Sequence, residues 1–200
     1  MKLIEKKFFS TIIFFPRSFF LLPFVILIAF FFLKCSSAPA SIYNSDFPLT
    51  KENAKSRTSK LAVNIPQGWF AAEENENNLI ELWLIKDDYS ATLNFVPLNL
   101  DSTSVKDAAV DELNRAASLS QSFKKIKYGK SIQKFFNREN FEINGKKYSA
   151  YEYQPENKEV IRVAIFKFQN KFYELSAVPV KKIDLKELFR IQNSVLSSIE

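Results

Sequence analysis

The stretch LAVNIPQGWF, residues 61–70, marks the point where the chain takes on the pattern of a folded domain. Leu61, Val63 and Ile65 alternate with small or polar residues, which is typical of a half-buried β-strand. The next four residues, Pro66 to Trp69, predict a turn because proline and glycine favour turn conformations. The sequence therefore predicts a domain that opens with a strand and a turn.

Strand-like segments and two helical segments follow this opening. Extended structure is expected at 79–85, 91–98, 126–136, 140–153, 160–168 and 172–178. Asn144-Gly145 indicates a tight hairpin. One helix is expected over 104–119, with Ser104 and Asp107 forming its N-cap, and a second helix is expected after Asp184.

The segment 160–168 is apolar on both of its faces. One face carries Val160, Ala164, Phe166 and Phe168, and the other carries Ile161, Val163 and Ile165. Such a strand has to be covered on both sides. The sequence therefore predicts an α+β domain at residues 60–200, a three-layer αβα sandwich with a central, mostly antiparallel sheet.

The order of elements, with LAVNIPQGWF at its start, resembles the PsbP-like family, which includes DcrB-type envelope proteins. In that family an early strand ends in a Pro-x-Gly-Trp turn, which Pro66, Gly68 and Trp69 match here. The resemblance covers residues 60–200. It implies an αβα sandwich that serves as a non-catalytic binding or assembly module, often exported and often lipidated.

Residues 1–34 have the pattern of a bacterial export signal. An uninterrupted apolar run at 19–33 follows four basic residues: Lys2, Lys6, Lys7 and Arg17. A helix over this run reaches about 22 Å, which is short of the hydrocarbon core of about 30 Å. A basic start followed by a short apolar run is typical of a signal peptide. An uncleaved membrane anchor is the alternative.

Two processing sites compete after this run. Phe32-Leu33-Lys34-Cys35 resembles the lipobox of bacterial lipoproteins, which implies lipidation of Cys35 as the first residue of the mature chain. Lys34 departs from that pattern, in which a small residue precedes the cysteine. Ala38-Pro39-Ala40 is an A-x-A-like site that would release a soluble protein starting at Ser41. The position of Cys35 directly beside the apolar run favours lipidation.

Residues 35–59 are expected to be the lipidated N-terminus and a flexible tether. They are rich in small and polar residues, and order is expected only near Ile42, Tyr43 and Phe47. This organisation predicts an envelope protein held by lipid in the outer membrane or in a membrane facing the periplasm.

The composition excludes several classes of site. The chain has no histidine, one cysteine and three glycines. These counts exclude Ser-His-Asp and Cys-His catalysis, histidine-ligated metals, an intramolecular disulfide and a glycine-rich phosphate loop. Residues 1–34 hold five of the 28 basic and one of the 22 acidic residues, so the remaining chain is nearly neutral and does not favour nucleic-acid binding. We expect no metal, no cofactor and no enzyme activity.

Three aromatic residues are candidates for a binding surface: Trp69, Tyr151 and Tyr153. Each is interpreted first as a core residue, with a ligand or partner contact as the alternative. The pair Asp87-Asp88 is interpreted as a tight turn, and the acidic loop at 73–76 as a solvated turn or a weak Ca²⁺ contact. The cluster after the first helix is interpreted as a solvated basic edge, or as a contact for anionic lipid or an acidic partner; it contains Lys124, Lys125, Lys127, Lys130 and Lys134.

These features predict a lipid-anchored cell-envelope protein whose domain binds another envelope protein or stabilises an assembly. One alternative is an envelope carrier that holds a small ligand in an aromatic pocket between sheet and helix. The other is a secreted soluble protein cleaved after Ala40.

Overall fold

A computed structural model describes residues 44–72, 79–100, 112–156 and 158–200. Its elements, in chain order, are β1 (Leu49–Lys55), β2 (Ala62–Pro66), β3 (Trp69–Ala71), β4 (Leu82–Lys86), β5 (Ala91–Leu98), α1 (Glu112–Tyr128), a 3₁₀ turn (Gly129–Ser131), β6 (Ile132–Ile143), β7 (Lys146–Pro155), β8 (Ile161–Phe168), β9 (Lys171–Pro179) and α2 (Leu185–Ser197).

The main sheet has seven strands in the order β3-β4-β5-β9-β8-β7-β6. Each neighbouring pair in it is antiparallel. β1 and β2 form a separate antiparallel pair. The α+β class and the mostly antiparallel central sheet predicted from the sequence are therefore confirmed.

Each face of the main sheet has its own apolar core. The first core combines one sheet face with α2 and with buried residues of the β1–β2 pair. The second core combines the other face with α1. The three-layer αβα arrangement predicted from the sequence is confirmed.

β8 separates the two cores. Ala164 and Phe166 lie in the first core, whereas Ile161, Val163 and Ile165 lie in the second. Successive side chains of a strand point to opposite faces, so this single strand contributes to both cores. Its two-sided apolar pattern was the sequence signal for a covered sheet.

α2 begins where the sequence predicted. The Asp184 Oδ1 accepts a hydrogen bond from the Lys186 backbone N–H at 2.9 Å, which satisfies one of the free donors at the helix start. The spacing of six side chains in this segment predicts one buried helix face, and all six are buried: Leu188, Phe189, Gln192, Val195, Leu196 and Ile199. The apolar spacing of this segment therefore predicted its packing face correctly.

The hairpin predicted at Asn144-Gly145 joins β6 and β7. Asn144 has φ of 52° and Gly145 has φ of 76°, both in the left-handed region that this turn requires. Asn and Gly adopt that region at lower cost than other residues. The turn therefore sets the register of the adjoining part of β6 and β7, from the pair Ile143–Lys146 to the pair Glu139–Ala150.

The first predicted helix ends too early. Its expected cap at Ser104 and Asp107 lies outside the described residues, and the described helix continues past Leu119 to Tyr128. The strand expected from Ile126 begins at Ile132 instead. Ile126 and Tyr128 were assigned to a strand, but Ser120 and Lys124, one helical turn apart, both bind Glu174 on the sheet and belong to a helix that includes them.

The folded domain begins before Lys60, so the flexible tether expected as far as Ser59 is wrong for its second half. Residues 49–55 form β1 and pair with β2, and Ala54 is buried in the first core. Phe47 packs against the same core, and its backbone N–H donates to the Ser194 Oγ at 2.9 Å. The exposed residues of this segment are polar, so its composition did not indicate a strand.

In the part of the chain that the structure describes, no helix has the length and apolar character needed to span a membrane.

Candidate functional site

The three aromatic candidates lie inside the domain. Trp69 belongs to the first core, and Tyr151 and Tyr153 belong to the second core beneath α1. Trp69 is 6% exposed, Tyr151 0% and Tyr153 5%. The structure therefore does not bring the three together, because Trp69 is on the opposite side of the sheet from the two tyrosines.

Cys35, the predicted site of lipidation, lies outside the described residues.

Tyr151 is part of a buried polar cluster that we call the Ser120 cluster, formed by Ser120, Lys124, Tyr151 and Glu174. The Ser120 Oγ donates to a carboxylate oxygen of Glu174, and the Tyr151 hydroxyl is hydrogen-bonded to the same Oγ. A serine hydroxyl has one proton, so the Tyr151 O–H is the donor in the second bond. The Lys124 Nζ reaches the other Glu174 oxygen at 2.8 Å.

The electrostatics of the Ser120 cluster keep Tyr151 protonated. Burial raises the pKa of Tyr151, and the nearby charge of Glu174 raises it further. Burial also raises the pKa of Tyr153, with smaller contributions from Tyr128 and Glu174. Neither phenol is available as a base near neutral pH. Ser120 and Tyr151 are fully buried, and their hydrogen bonds within the cluster connect α1 to the sheet.

A second polar cluster, the Arg162 cluster, lies in the other layer. The Arg162 guanidinium is 1% exposed and donates to the Gln192 Oε1 at 2.8 Å and the Asn193 Oδ1 at 2.9 Å. It forms an ion pair with Glu139 at 3.2 Å. Its carbon Cζ lies 4.9 Å from the centre of the Phe141 ring. These contacts join β8, β6 and α2 around one buried charge.

Glu152 lies beside this cluster. It is the register partner of Arg162 on β7, and its Oε2 accepts from the Asn137 Nδ2 at 2.9 Å. Burial raises the pKa of Glu152, whereas the Asn137 hydrogen bond and the Arg162 charge oppose that rise. The carboxyl group is thus held near a fixed cation rather than exposed to a substrate.

Sequence reasoning missed both clusters. Arg162, Glu152 and Glu174 each have apolar or aromatic residues on both sides in the sequence, and a charge at such a position was the available signal. A buried charge needs a partner. The partners lie far away along the chain, as Lys124 and Gln192 do, so only the fold identifies them.

An open groove lies at the end of the second core. It has a volume of about 1150 Å³, and its lining includes Asn94, Tyr128, Tyr153 and Val178. Lys158, Lys181 and Glu159 also line it. The Asn94 Oδ1 is buried and has no hydrogen-bond partner among the described residues. Tyr153 is therefore the one residue of the three aromatic candidates that lines this groove.

The acidic residues give no metal-binding arrangement in the described residues. No group of three candidate ligands is present there, and the loop at 73–76 lies outside the described ranges. Asp88 occupies the turn predicted for Asp87-Asp88: its Oδ1 accepts from the Ser90 backbone N–H at 2.9 Å. Hydrogen bonds from Ser90 lower the pKa of Asp88.

Comparison with known proteins identifies the fold. The sequence matches no protein-family model and no curated protein. The structure is similar to the solution structure of CyanoP, the cyanobacterial PsbP of Synechocystis sp. PCC 6803, with a TM-score of 0.52 and 13% identity over 74% of this chain and 91% of that one. A crystal structure from Bacteroides thetaiotaomicron VPI-5482 aligns with a TM-score of 0.32 and 15% identity over 70% of this chain and 44% of that one.

Proposed function

We propose that this chain, which has a PsbP-like fold, is a lipid-anchored cell-envelope protein. Its folded domain binds another envelope protein and catalyses no reaction. The lipid is attached to Cys35, and the domain that follows is the binding module. The fold itself does not select a partner, since one fold serves many functions.

The burial of the reactive side chains is the observation that carries the non-catalytic part of this proposal. Ser120, Tyr151 and Glu174 are hydrogen-bonded to one another inside the second core, and Arg162 is enclosed in the first. A catalytic group has to be within reach of a substrate. These groups instead connect the helices to the sheet, so their role is structural.

The anchoring part rests on the order of segments along the sequence. The apolar run at 19–33 ends two residues before Cys35, and the described domain starts at Asn44. Eight residues lie between Cys35 and Asn44, and the nine Cα–Cα steps that join the two span at most about 32 Å when the chain is fully extended. A lipid on Cys35 would therefore keep the domain close to the membrane surface.

Substitution of Cys35 tests the lipid anchor, and purification of the original chain tests for a binding partner. Cys35→Ser should accumulate unprocessed or leave the lipoprotein fraction, whereas the matched Ser36→Ala change should behave like the original chain. Purification of the original chain from detergent-solubilised envelopes after chemical cross-linking should yield a reproducible cross-linked protein. A Cys35→Ser chain that is processed and fractionates like the original contradicts the lipid anchor.

A small-ligand carrier is the second candidate, and the groove beside Tyr153 favours it. The free Asn94 Oδ1 would accept a hydrogen bond from a ligand in this groove. Native mass spectrometry of the purified chain would then show a bound small molecule. Asn94→Leu should lose that molecule, and Gln133→Leu, at another position lining the groove, is the comparison. A purified chain without bound mass contradicts this candidate.

A further inference from the structure

The segment 113–138, which contains most of α1 and the start of β6, is strongly basic. It contains no acidic residue and seven basic ones: Arg115, Lys124, Lys125, Lys127, Lys130, Lys134 and Arg138. Outside the first 34 residues the chain is nearly neutral, with 23 basic and 21 acidic residues. The positive charge of the folded domain is therefore concentrated around the C-terminal end of α1.

Four of these lysines have no carboxylate partner among the described residues. Lys124 is neutralised by Glu174, and Arg138 donates to Asn114 and Ser118. The remaining lysines are exposed, and three of them lie over aromatic rings: Lys125 is 5.4 Å from the centre of Phe135, Lys127 5.3 Å from Tyr128 and Lys134 4.8 Å from Phe136. Lys130 is exposed in the 3₁₀ turn that follows.

Large apolar side chains are exposed beside these lysines. Ile126 is 81% exposed, Phe123 48% and Tyr128 41%. Phe123 and Ile126 are three residues apart on α1, so their side chains are neighbours on the helix surface. We call Phe123, Ile126 and Tyr128, together with Lys125, Lys127, Lys130 and Lys134, the α1 patch.

An anionic lipid surface fits both parts of the α1 patch. Lysine ammonium groups bind lipid phosphates and carboxylates electrostatically, and apolar side chains between them enter the boundary of the acyl chains. Tyrosine is suited to this interface because one end of its side chain is polar and the other apolar.

We propose that the α1 patch binds the anionic surface of the membrane that carries the chain, and so orients the domain on it. This step rests on the proposed anchor at Cys35, which would leave the start of the domain within about 32 Å of the lipid. At that distance the patch meets the bilayer at a high effective concentration. The opposite layer, with α2, then faces away from the membrane.

A tryptophan reporter in the full chain tests this contact. The chain is reconstituted into vesicles that contain brominated lipids, with either anionic or neutral headgroups. Ile126→Trp places the reporter in the α1 patch, and Lys186→Trp places a control reporter at an exposed position on α2. The fluorescence of the native Trp69 and Trp83 is measured in the original chain and subtracted.

The Ile126→Trp reporter should be quenched in anionic vesicles and much less in neutral ones, whereas the Lys186→Trp reporter should not be quenched in either. Raising the salt from about 0.1 M to about 1 M shortens the screening length from about 10 Å to about 3 Å and should reduce the quenching. Replacing Lys125, Lys127, Lys130 and Lys134 by Gln should lower it to the neutral-vesicle level. The matched set Lys51, Lys55, Lys60 and Lys186, also exposed, should leave it unchanged.

Equal quenching of both reporters, equal quenching in both kinds of vesicle, or equal losses from the two lysine sets would overturn the proposal. Absence of quenching would overturn it as well. An acidic protein or a second copy of the chain would then be the alternative binding partner of the α1 patch. Flotation with neutral vesicles reports on the anchor separately. If the mature chain carries no lipid on Cys35, the proposed anchor is wrong. If that chain is still quenched in anionic vesicles, the proposal for the α1 patch stands.

Discussion

Arg162 shows how one charged residue is accommodated inside this domain. Its guanidinium is surrounded by Gln192, Asn193 and Glu139, so its charge and its donors are satisfied within the fold. The Gln192 Nε2 in turn donates to the backbone oxygens of Arg162 and Leu175. Removing the cation would take one polar contact each from Glu139, Gln192 and Asn193.

Truncation of Arg162 should therefore be strongly destabilising. Arg162→Ala should lower the free energy of unfolding by about 3–5 kcal/mol, which is the usual cost of breaking a buried pair. Lys167→Ala on the same strand is the control, since its ion pair with Glu112 is 42% and 50% exposed and such pairs contribute about 0–1 kcal/mol. Urea denaturation of both variants measures the difference. Equal losses in the two variants would show that the Arg162 cluster has no special role.

Tyr148 should make the domain sensitive to alkali. Its hydroxyl donates to the Leu196 backbone oxygen at 3.0 Å, and burial raises its pKa from 10.0 to about 12. The folded chain therefore holds this proton more tightly than the unfolded chain. Its contribution is complete below pH 10 and is lost as the pH rises towards about 12.

Tyr148→Phe should remove this part of the alkaline loss. At neutral pH the variant should be less stable by about 1 kcal/mol, because the hydrogen bond to Leu196 is absent. The free energy of unfolding, measured by urea denaturation from neutral pH upwards, should then fall less steeply above pH 10 than in the original chain. Parallel curves for the two chains would show that Tyr148 does not contribute to the loss of stability in alkali.

At the scale of single residues, the sequence predicted local features and missed distant ones. Asn144-Gly145 and Asp184 act on their immediate neighbours, so residue type was sufficient. The burial of Arg162 and Glu174 depends on partners 30 and 50 positions away. No local pattern contains that information.

At the scale of elements, the spacing of apolar residues predicted helices and strands more reliably than local composition did. The two apolar faces of β8 predicted both cores, and the apolar spacing of α2 predicted its buried face. β1 was missed because LTKENAK, residues 49–55, looks like a polar linker although it pairs with β2. Secondary structure there is imposed by the strand beside it.

The β1 segment should be required for full stability. A chain starting at Asn44 should unfold cooperatively, whereas a chain starting at Lys60 lacks Ala54 in the core and the packing of Phe47 and Leu49 against it. Fully burying one large apolar side chain contributes about 1.5–3 kcal/mol, and Phe47 and Leu49 are half-buried, so the shorter chain should be less stable by about 2–3 kcal/mol.

Thermal unfolding followed by circular dichroism compares these two chains. Asp46→Ala in the longer chain is the control, because it removes only the exposed ion pair with Arg190 and should change stability by about 0–1 kcal/mol. Identical melting curves for the chains starting at Asn44 and at Lys60 would mean that the tether does extend to Ser59.

At the scale of the whole molecule, the sequence predicted the αβα sandwich, and the structure has a PsbP-like fold. The candidate site was less accessible to prediction. Trp69, Tyr151 and Tyr153 were candidates because large aromatics are common in binding surfaces, but the packing of α1, α2 and the β1–β2 pair encloses them. The lysines of the α1 patch could be grouped from the sequence, but its exposed apolar residues depend on the continuation of α1 to Tyr128.

The intact mass of the mature chain, extracted from membranes, tests the proposed lipid anchor most directly. The account predicts a chain that begins at Cys35 and carries the added mass of two or three acyl chains. The lipobox resemblance at Phe32-Leu33-Lys34-Cys35 predicts that N-terminus. An unmodified chain that begins at Ser41, or an uncleaved chain that retains residues 1–34, would contradict it.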